Sequence, residues 1–450
     1  MSDENTKTVS NATCTFCGCV CDDMILTVDM EHHRITKSQN ACVLGKAWFK
    51  EHSVEERPFA LISGRKASTE EGVEEAARIL AEARYPIIYG LSDTTCEAQR
   101  VAVSIADMIG GNIDTTTSVC HGPTGMAFQS VGESTASLGE IKNRADLIIF
   151  WGGNPAEAHP RLFSRYAVTP KGMYTPNGRK DRTVVLVDVR RTASTPVADI
   201  FLQVKPGSDF EVLWALRALV KGRKVDASIE ERTGISLAVL EDLTARMKRC
   251  QFGALLFGMG LTMTRGRHFN AGALLALATD LNEFTHFVAA PVRGHGNVTG
   301  ADNVVSWQTG YPFGVNFSRG YPRFNPGEWT TADLLARGEA DAAMIIASDP
   351  AANFAKGAIE HLKRIPVITL DPKTSVTSQI ARVAFTTATY GINTPGTVYR
   401  MDGVPISLRP AFESPYPSDE QVLTAIRERV RTLLGGNRIP AGTPLAATST

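Results

Sequence analysis

The chain has 450 residues, 43% of them hydrophobic, with 47 lysines and arginines against 47 aspartates and glutamates. Zero net charge removes the basic excess that a nucleic-acid binder uses to neutralise phosphates, and the length predicts two to four domains rather than a disulfide-stapled scaffold. The acidic start MSDENTKTVSNAT lacks the basic and apolar regions of a signal peptide, and no apolar run nears the roughly 20 residues that span a bilayer, so a cytoplasmic protein without membrane insertion is expected.

Five of the eight cysteines, Cys14, Cys17, Cys19, Cys21 and Cys42, fall within the first 42 residues. In a reducing compartment such crowding points to metal or cluster ligation. Cys14-x2-Cys17-x3-Cys21, then twenty residues, then Cys42, suits the corners of an iron–sulfur cubane. Structural zinc, the alternative, usually shows two evenly spaced pairs. Cys19 is surplus, either a bystander or part of a shifted register. Residues 9–58 are short of long apolar runs, so their ligands are expected to hold them together.

A helix is predicted over residues 70–84, followed by the strand-like PIIYG at 86–90. Further strands are predicted at 147–151, 184–187, 254–257, 344–347 and 367–370, separated by helical stretches, the pattern of parallel sheets covered on both faces. These strands form a weak internal repeat. LIIFWGGNPAEA (147–158) matches MIIASDPAAN (344–353), VVLVDVRRTAS (184–194) matches VITLDPKTSV (367–376), and PIIYGLS (86–92) matches ALLFGMG (254–260). Ligands of open parallel sheets sit at the carboxyl ends of strands, so Asp188 and Asp371 read singly as turn or cap residues but as a pair indicate two nucleotide-like sites. Residues 320–330 read as a loop, 419–434 as a terminal helix and 435–450 as a flexible tail.

Cys120, in TTTSVCHGPTGMAF, precedes His121 and a Gly-Pro turn. It reads as a buried apolar residue, a thiol nucleophile or a metal thiolate, with the imidazole beside it able to move protons. Arg293, in PVRGHGNVTG, is either a surface arginine or a guanidinium able to hold a small carboxylate. The other histidines, including His159 and His268, form no metal motif and read as surface or capping residues. On residues alone, a zinc-stabilised nucleotide-binding protein without chemistry stands as an alternative.

The ordered set CTFCGCVCDD…NACVLG, SVCHGP, WGGNPAEAHPR, VDVRRT, FGMGLTMTRG, RGHGNV, TGYPFGVNFSRGYPRFNPGE and YRMDGVP resembles the B subunits of formylmethanofuran dehydrogenases, over residues 10–430. More distantly it is similar to formate dehydrogenases of the bis-molybdopterin guanine dinucleotide family. The resemblance implies an α/β fold. It comprises an iron–sulfur domain (1–60) and two related doubly wound domains (61–119 plus 335–434, and 120–334), without the β-rich cofactor-capping domain of single-chain relatives.

The resemblance further implies that Cys14, Cys17, Cys21 and Cys42 hold one 4Fe-4S cluster. Cys120 would ligate tungsten or molybdenum, completed by two molybdopterin guanine dinucleotides and an inorganic sulfide, with His121 and Arg293 beside the metal. Gly152, Asn154, Asp188, Arg190, Gly207, Asp209 and Gly258 would line one dinucleotide, and Ser348, Asp349 and Asp371 the other. Gly396 and Thr397 would touch the pterins, although Thr394 and Pro395 stand where the family tends to place an acidic residue. The implied activity is reduction of CO2 to formate. The implied partners are a pterin-capping subunit, a metal-hydrolase-like subunit that condenses formate with methanofuran, and iron–sulfur electron-transfer subunits. A non-redox scaffold of a formyltransferase/hydrolase complex and a formate dehydrogenase subunit are the alternatives.

Overall fold

The structure is a computed structural model that describes residues 5–51 and 56–435; the expected tail beyond 435 lies outside the described residues. Strands Thr6–Cys14, Cys21–Asp29 and Arg34–Gln39 form an antiparallel sheet, followed by the helix Val43–Glu51. This corrects the expectation that ligands alone hold the segment. Met24, Leu26 and Val28 alternate onto one buried face, joined by Ala12 and Ile35. Period-two burial in short strands leaves no apolar run to see.

The smaller α/β unit is a five-stranded parallel sheet in the order Ile200–Gln203, Thr183–Asp188, Leu147–Trp151, Phe252–Phe257, His286–Pro291. Successive residues serve opposite faces. Ile148, Phe150, Val184 and Leu256 pack toward the N-terminal sheet, whereas Leu147, Ile149, Val185 and Leu255 pack under the helices Asp209–Val220 and His268–Leu281. Both faces are therefore dry, which explains the unbroken apolar runs.

The larger unit is a nine-stranded sheet. Its parallel centre runs Asn112–Thr115, Ile87–Gly90, Ala343–Ile346, Val367–Asp371, Val383–Thr386, with antiparallel pairs added at each edge. Position for position, this centre repeats the smaller sheet. Strand Ala343–Ile346 lies between Ile87–Gly90 and Val367–Asp371 as Leu147–Trp151 lies between Phe252–Phe257 and Thr183–Asp188. The two copies are circular permutations, because the strands that come last in the smaller unit come first in the larger. The likeness extends to detail. Asn154 and Asp349 cap short proline-started helices at φ/ψ of −120/71 and −128/67, and Ser194 and Thr377 bond to each cap and to the second backbone N–H after it.

One boundary differs from expectation. Helix Val298–Thr309 and strands Val315–Asn316 and Arg323–Phe324, expected within 120–334, belong to the larger unit. Ala301, Val304 and Val305 of that helix pack in its core, and Arg323–Phe324 hides in the stretch 320–330, whose Pro and Gly content reads as loop.

The N-terminal sheet is fixed to the body where its cysteine loop meets residues 293–296. Cys17 and His295 form an antiparallel bridge, and the Gly18 N–H donates to the Gly294 carbonyl at 3.3 Å. A Cβ on Gly18 would stand 2.3 Å from the Arg293 carbonyl oxygen, and one on Gly296 would stand 1.8 Å from the Thr15 carbonyl oxygen. Arg161 adds a two-pronged ion pair to Asp23, and Arg165 reaches Asp22 at 2.7 Å. Because backbone cannot rotate aside as a side chain can, Gly296→Ala is expected to cost about 3 kcal/mol, the upper range of overpacking penalties. Lowered thermal stability and faster proteolysis of the N-terminal sheet would report it.

Candidate active site and thiol pocket

Strand Thr6–Cys14 ends, and strand Cys21–Asp29 begins, on a cross-strand cysteine pair, Cys14 and Cys21. Cys42 enters from the start of the following helix. Cys14, Cys17, Cys21 and Cys42 thus line one small cavity, with Cys19, Met24, Gly45 and Arg161. A Cβ on Gly45 would stand 3.0 Å from the Cys14 Sγ and 3.9 Å from the Cys42 Sγ, so this glycine leaves the space between the sulfurs open. Burial pushes the Cys14 thiol well up. A bond from Cys19 holds the Cys21 thiol down at about 7, with Arg161 and Arg165 adding to the effect. Among the described residues no three His, Cys, Asp or Glu side chains converge as around a single ion; the thiols ring a void. Lys46 is exposed.

Cys120, His121 and Arg293 share a second, still smaller chamber with Thr116, Thr117, Gly294 and His295. Cys120 ends the 3-10 turn Thr116–Val119, and His121 caps the helix Gly122–Val131, whose Pro123 fixes its first turn. Burial pushes the Cys120 thiol up to about 11, while the Arg293 charge acts against it. Burial, reinforced by Arg293, lowers His121 to about 3, so the imidazole is neutral. Its Nδ1 lies 3.1 Å from the Thr124 hydroxyl, and its Nε2 is buried without a partner.

Arg293 is 6% exposed and forms a buried ion pair with Asp302. Asp302 accepts bonds from the Thr115 and Thr117 hydroxyls, each at 2.9 Å. The guanidinium is thus held through Nη1, which reaches Asp302 and the Thr117 hydroxyl. The Arg293 carbonyl accepts a 2.7 Å bond from the Nε2 of His159, which is buried and ends the helix Pro155–Ala158, so of its two sequence readings, surface or capping, the structure has the capping one.

Cys120 also opens onto a cleft of about 1050 Å³ between the two units, reaching Ser348, Asp349 and Asp371 at the carboxyl ends of the larger sheet. Burial pushes Asp371 up to about 7, with Asp419, Asp349 and Asp93 adding repulsion. The carboxylate of Asp349 caps the helix Val376–Ile380, accepting from the Val376 and Thr377 N–H groups, so its binding capacity is partly spent. Asp419, which nothing in its sequence context marked, lines the same cleft and keeps a buried Oδ1 without a partner.

Gly152, Asn154, Asp188 and Gly258 lie at the carboxyl ends of the smaller sheet, with Arg190 exposed beside them. Gly152, at φ +58, and Gly258 serve the chain's own packing: a Cβ on Gly152 would stand 2.5 Å from the Leu261 nitrogen. Asp209 starts the helix after the Gly207 turn. Its Oδ1 accepts from the Trp151 indole at 2.8 Å, and its Oδ2 is buried and unpartnered. Gly396 and Thr397 do not line the cleft. They lie in the ribbon Gly396–Tyr399/Pro405–Leu408, where the Thr397 N–H bonds to Glu97 at 2.9 Å.

Sequence reasoning passed over Asp302, Asp419 and His159. Two of them sit at helix starts or on helices, where a charge ordinarily signals a solvated face, and only the polar TTTS run around Thr115 and Thr117 hints that a buried ion pair needs partners.

No family model matches the chain. It is 44% identical over 437 residues, covering 95% of this chain and 100% of the relative, to the B subunit of the tungsten-containing formylmethanofuran dehydrogenase 2 of Methanocaldococcus jannaschii. The fold resembles that of a chain of the formyltransferase/hydrolase complex of Methylorubrum extorquens, solved with methylofuran (TM-score 0.68, 24% identity, 83% of this chain and 99% of that one). It also resembles acetylene hydratase of Pelobacter acetylenicus (TM-score 0.65, 14% identity, 92% of this chain and 67% of that one).

Removing one partner of a buried ion pair leaves the other charge uncompensated. Asp302→Ala is therefore expected to cost about 3–5 kcal/mol. Denaturant unfolding measures it, and a loss under about 1 kcal/mol would mean that Arg293 is not held as a buried ion.

Proposed function

The chain belongs to the family of formylmethanofuran dehydrogenase B subunits, an oxidoreductase family, and from that premise we propose that it is the redox subunit of a multisubunit complex that reduces CO2 to formate at tungsten or molybdenum. The observation that carries this reading is the single buried chamber shared by Cys120, His121 and Arg293, one backbone bridge away from the thiol pocket.

The donor sets fit the groups required. Soft thiolates suit an iron–sulfur cluster, and the ring of Cys14, Cys17, Cys21 and Cys42 around a void offers four corners rather than one centre. Cys120, at the junction of chamber and cleft, would be the ligand for the metal. Asp371, Ser348 and Asp349 would hold one guanine dinucleotide. The unpartnered Oδ2 of Asp209, with Asn154, Asp188, Arg190 and the Gly152, Gly207 and Gly258 turns, would hold the other.

When bound, the metal with its dithiolenes and sulfide supplies two-electron chemistry at one carbon. The conversion of CO2 to formate takes two electrons and one proton. Arg293 binds the carboxylate and stabilises its charge, while Asp302 fixes the guanidinium's orientation. His121, neutral and with its Nε2 free, can take a proton and pass it on without becoming a fixed cation beside Arg293. The chamber's burial excludes bulk water. Electrons would enter from iron–sulfur partner subunits through the thiol pocket. A pterin-capping subunit would close the cleft, and formate would leave to a metal-hydrolase-like subunit for condensation with methanofuran.

The rival reading, a non-redox scaffold like the formyltransferase/hydrolase chain, leaves the retained thiols of the pocket and the chamber without a purpose. Complex purified without oxygen is expected to hold at least about four iron atoms per chain and stoichiometric tungsten or molybdenum. Cys120→Ala should abolish CO2 reduction and leave the low-temperature EPR signal of the cluster intact. Zinc in place of iron, or CO2 reduction surviving in Cys120→Ala, would overturn the reading.

A further inference from the structure

The thiol pocket holds one thiol more than a cubane has irons to bind. Cys19 is 1% exposed and lines the same cavity as the four candidate ligands. The turn from Cys17 to Val20, closed by the Val20 N–H donating to the Cys17 carbonyl at 3.0 Å, determines this placement. Gly18 is pressed against the Arg293 carbonyl on one side. Val20, held at φ +35, is packed among Tyr390, Val398, Ile406 and Leu408 on another. The side chain between them is directed into the pocket that Cys17 and Cys21 also line. A left-handed backbone at a β-branched residue is costly and persists only where its surroundings over-determine it, so the position of Cys19 is built in rather than incidental.

We propose that Cys19 is a positioning residue for the iron–sulfur cluster: it does not ligate iron but donates an S–H···S hydrogen bond to the thiolate of Cys17 or Cys21, and so raises the cluster's reduction potential. The inference rests on the cluster reading of the pocket. Four thiolates satisfy four irons, and a fifth sulfur with no iron to bind keeps its proton and serves as a donor. Hydrogen bonds to cluster sulfurs withdraw negative charge from the reduced form more than from the oxidised form, and are among the main settings of cluster potential.

The test compares the whole complex carrying Cys19→Ala and Cys19→Ser with the unaltered complex, all prepared without oxygen. Iron is counted per chain, and the cluster is followed by EPR during a redox titration. Both variants are expected to keep the same iron content. Cys19→Ala should shift the midpoint to more negative potential, and Cys19→Ser, whose hydroxyl still donates, should restore it at least in part. An unchanged midpoint in Cys19→Ala, or a shift that Cys19→Ser does not reverse, overturns the proposal. Loss of about one quarter or more of the iron in Cys19→Ala also overturns it, by making Cys19 a ligand. If the unaltered complex itself holds no iron, the cluster reading fails, an outcome distinct from these.

Discussion

The molecule depends on a contact between two stretches of backbone. The loop that carries Cys17 and Gly18 lies directly against the loop that carries Arg293 to Gly296, at a distance that admits no side chain on either glycine. The Arg293 carbonyl is packed against Gly18 on one side and bonded to His159 on the other, so the residue that lines the chamber with Cys120 and His121 is held by the thiol loop and by the smaller unit together. Tyr390 completes the joint, bonding through its hydroxyl to the Thr15 carbonyl at 2.6 Å and to Asp93 at 3.1 Å. Three parts of the chain far apart in sequence therefore meet within one hydrogen-bonded patch, and the thiol pocket and the chamber cannot move independently.

A second constraint is the treatment of charge. The chamber contains a buried guanidinium, which is tolerated because Asp302 neutralises it and two threonine hydroxyls satisfy that carboxylate. With the cation fixed, the neighbouring imidazole has two reasons to stay neutral, burial and the Arg293 charge, and both act in the same direction. The site thus holds two unlike groups side by side: a charged guanidinium fixed by its carboxylate, and an uncharged imidazole.

Much of this was legible beforehand, for identifiable reasons. Strands buried on both faces announce themselves as apolar runs, and Leu147–Trp151 reads correctly to the residue. The internal repeat was visible because strand ends and their caps, Asn154-Pro155 and Asp349-Pro350, share a backbone geometry that needs those residue types. What stayed hidden depends on long-range packing. The N-terminal strands bury alternate residues against the smaller unit. Strands Val315–Asn316 and Arg323–Phe324 exist only as edge partners of Asn112–Thr115. Asp302 lies on a helix, where the sequence offers no sign that the side chain faces a buried arginine. Asp349 illustrates the converse: a strand-end acid that suits a nucleotide is also the cap its own neighbouring helix requires.

The circular permutation of the two sheets has a consequence for biosynthesis. The strands of the smaller unit are contiguous, from Leu147 to Pro291, and can assemble as soon as they leave the ribosome. The larger sheet cannot, because its first strands wait for Ala343–Ile346, the middle strand, which is made some 250 residues after Ile87–Gly90. The cysteine loop waits longer still, for Arg293 and then for Tyr390. The first sulfurs translated are among the last groups to find their neighbours, so the thiol pocket closes only in a nearly finished polypeptide.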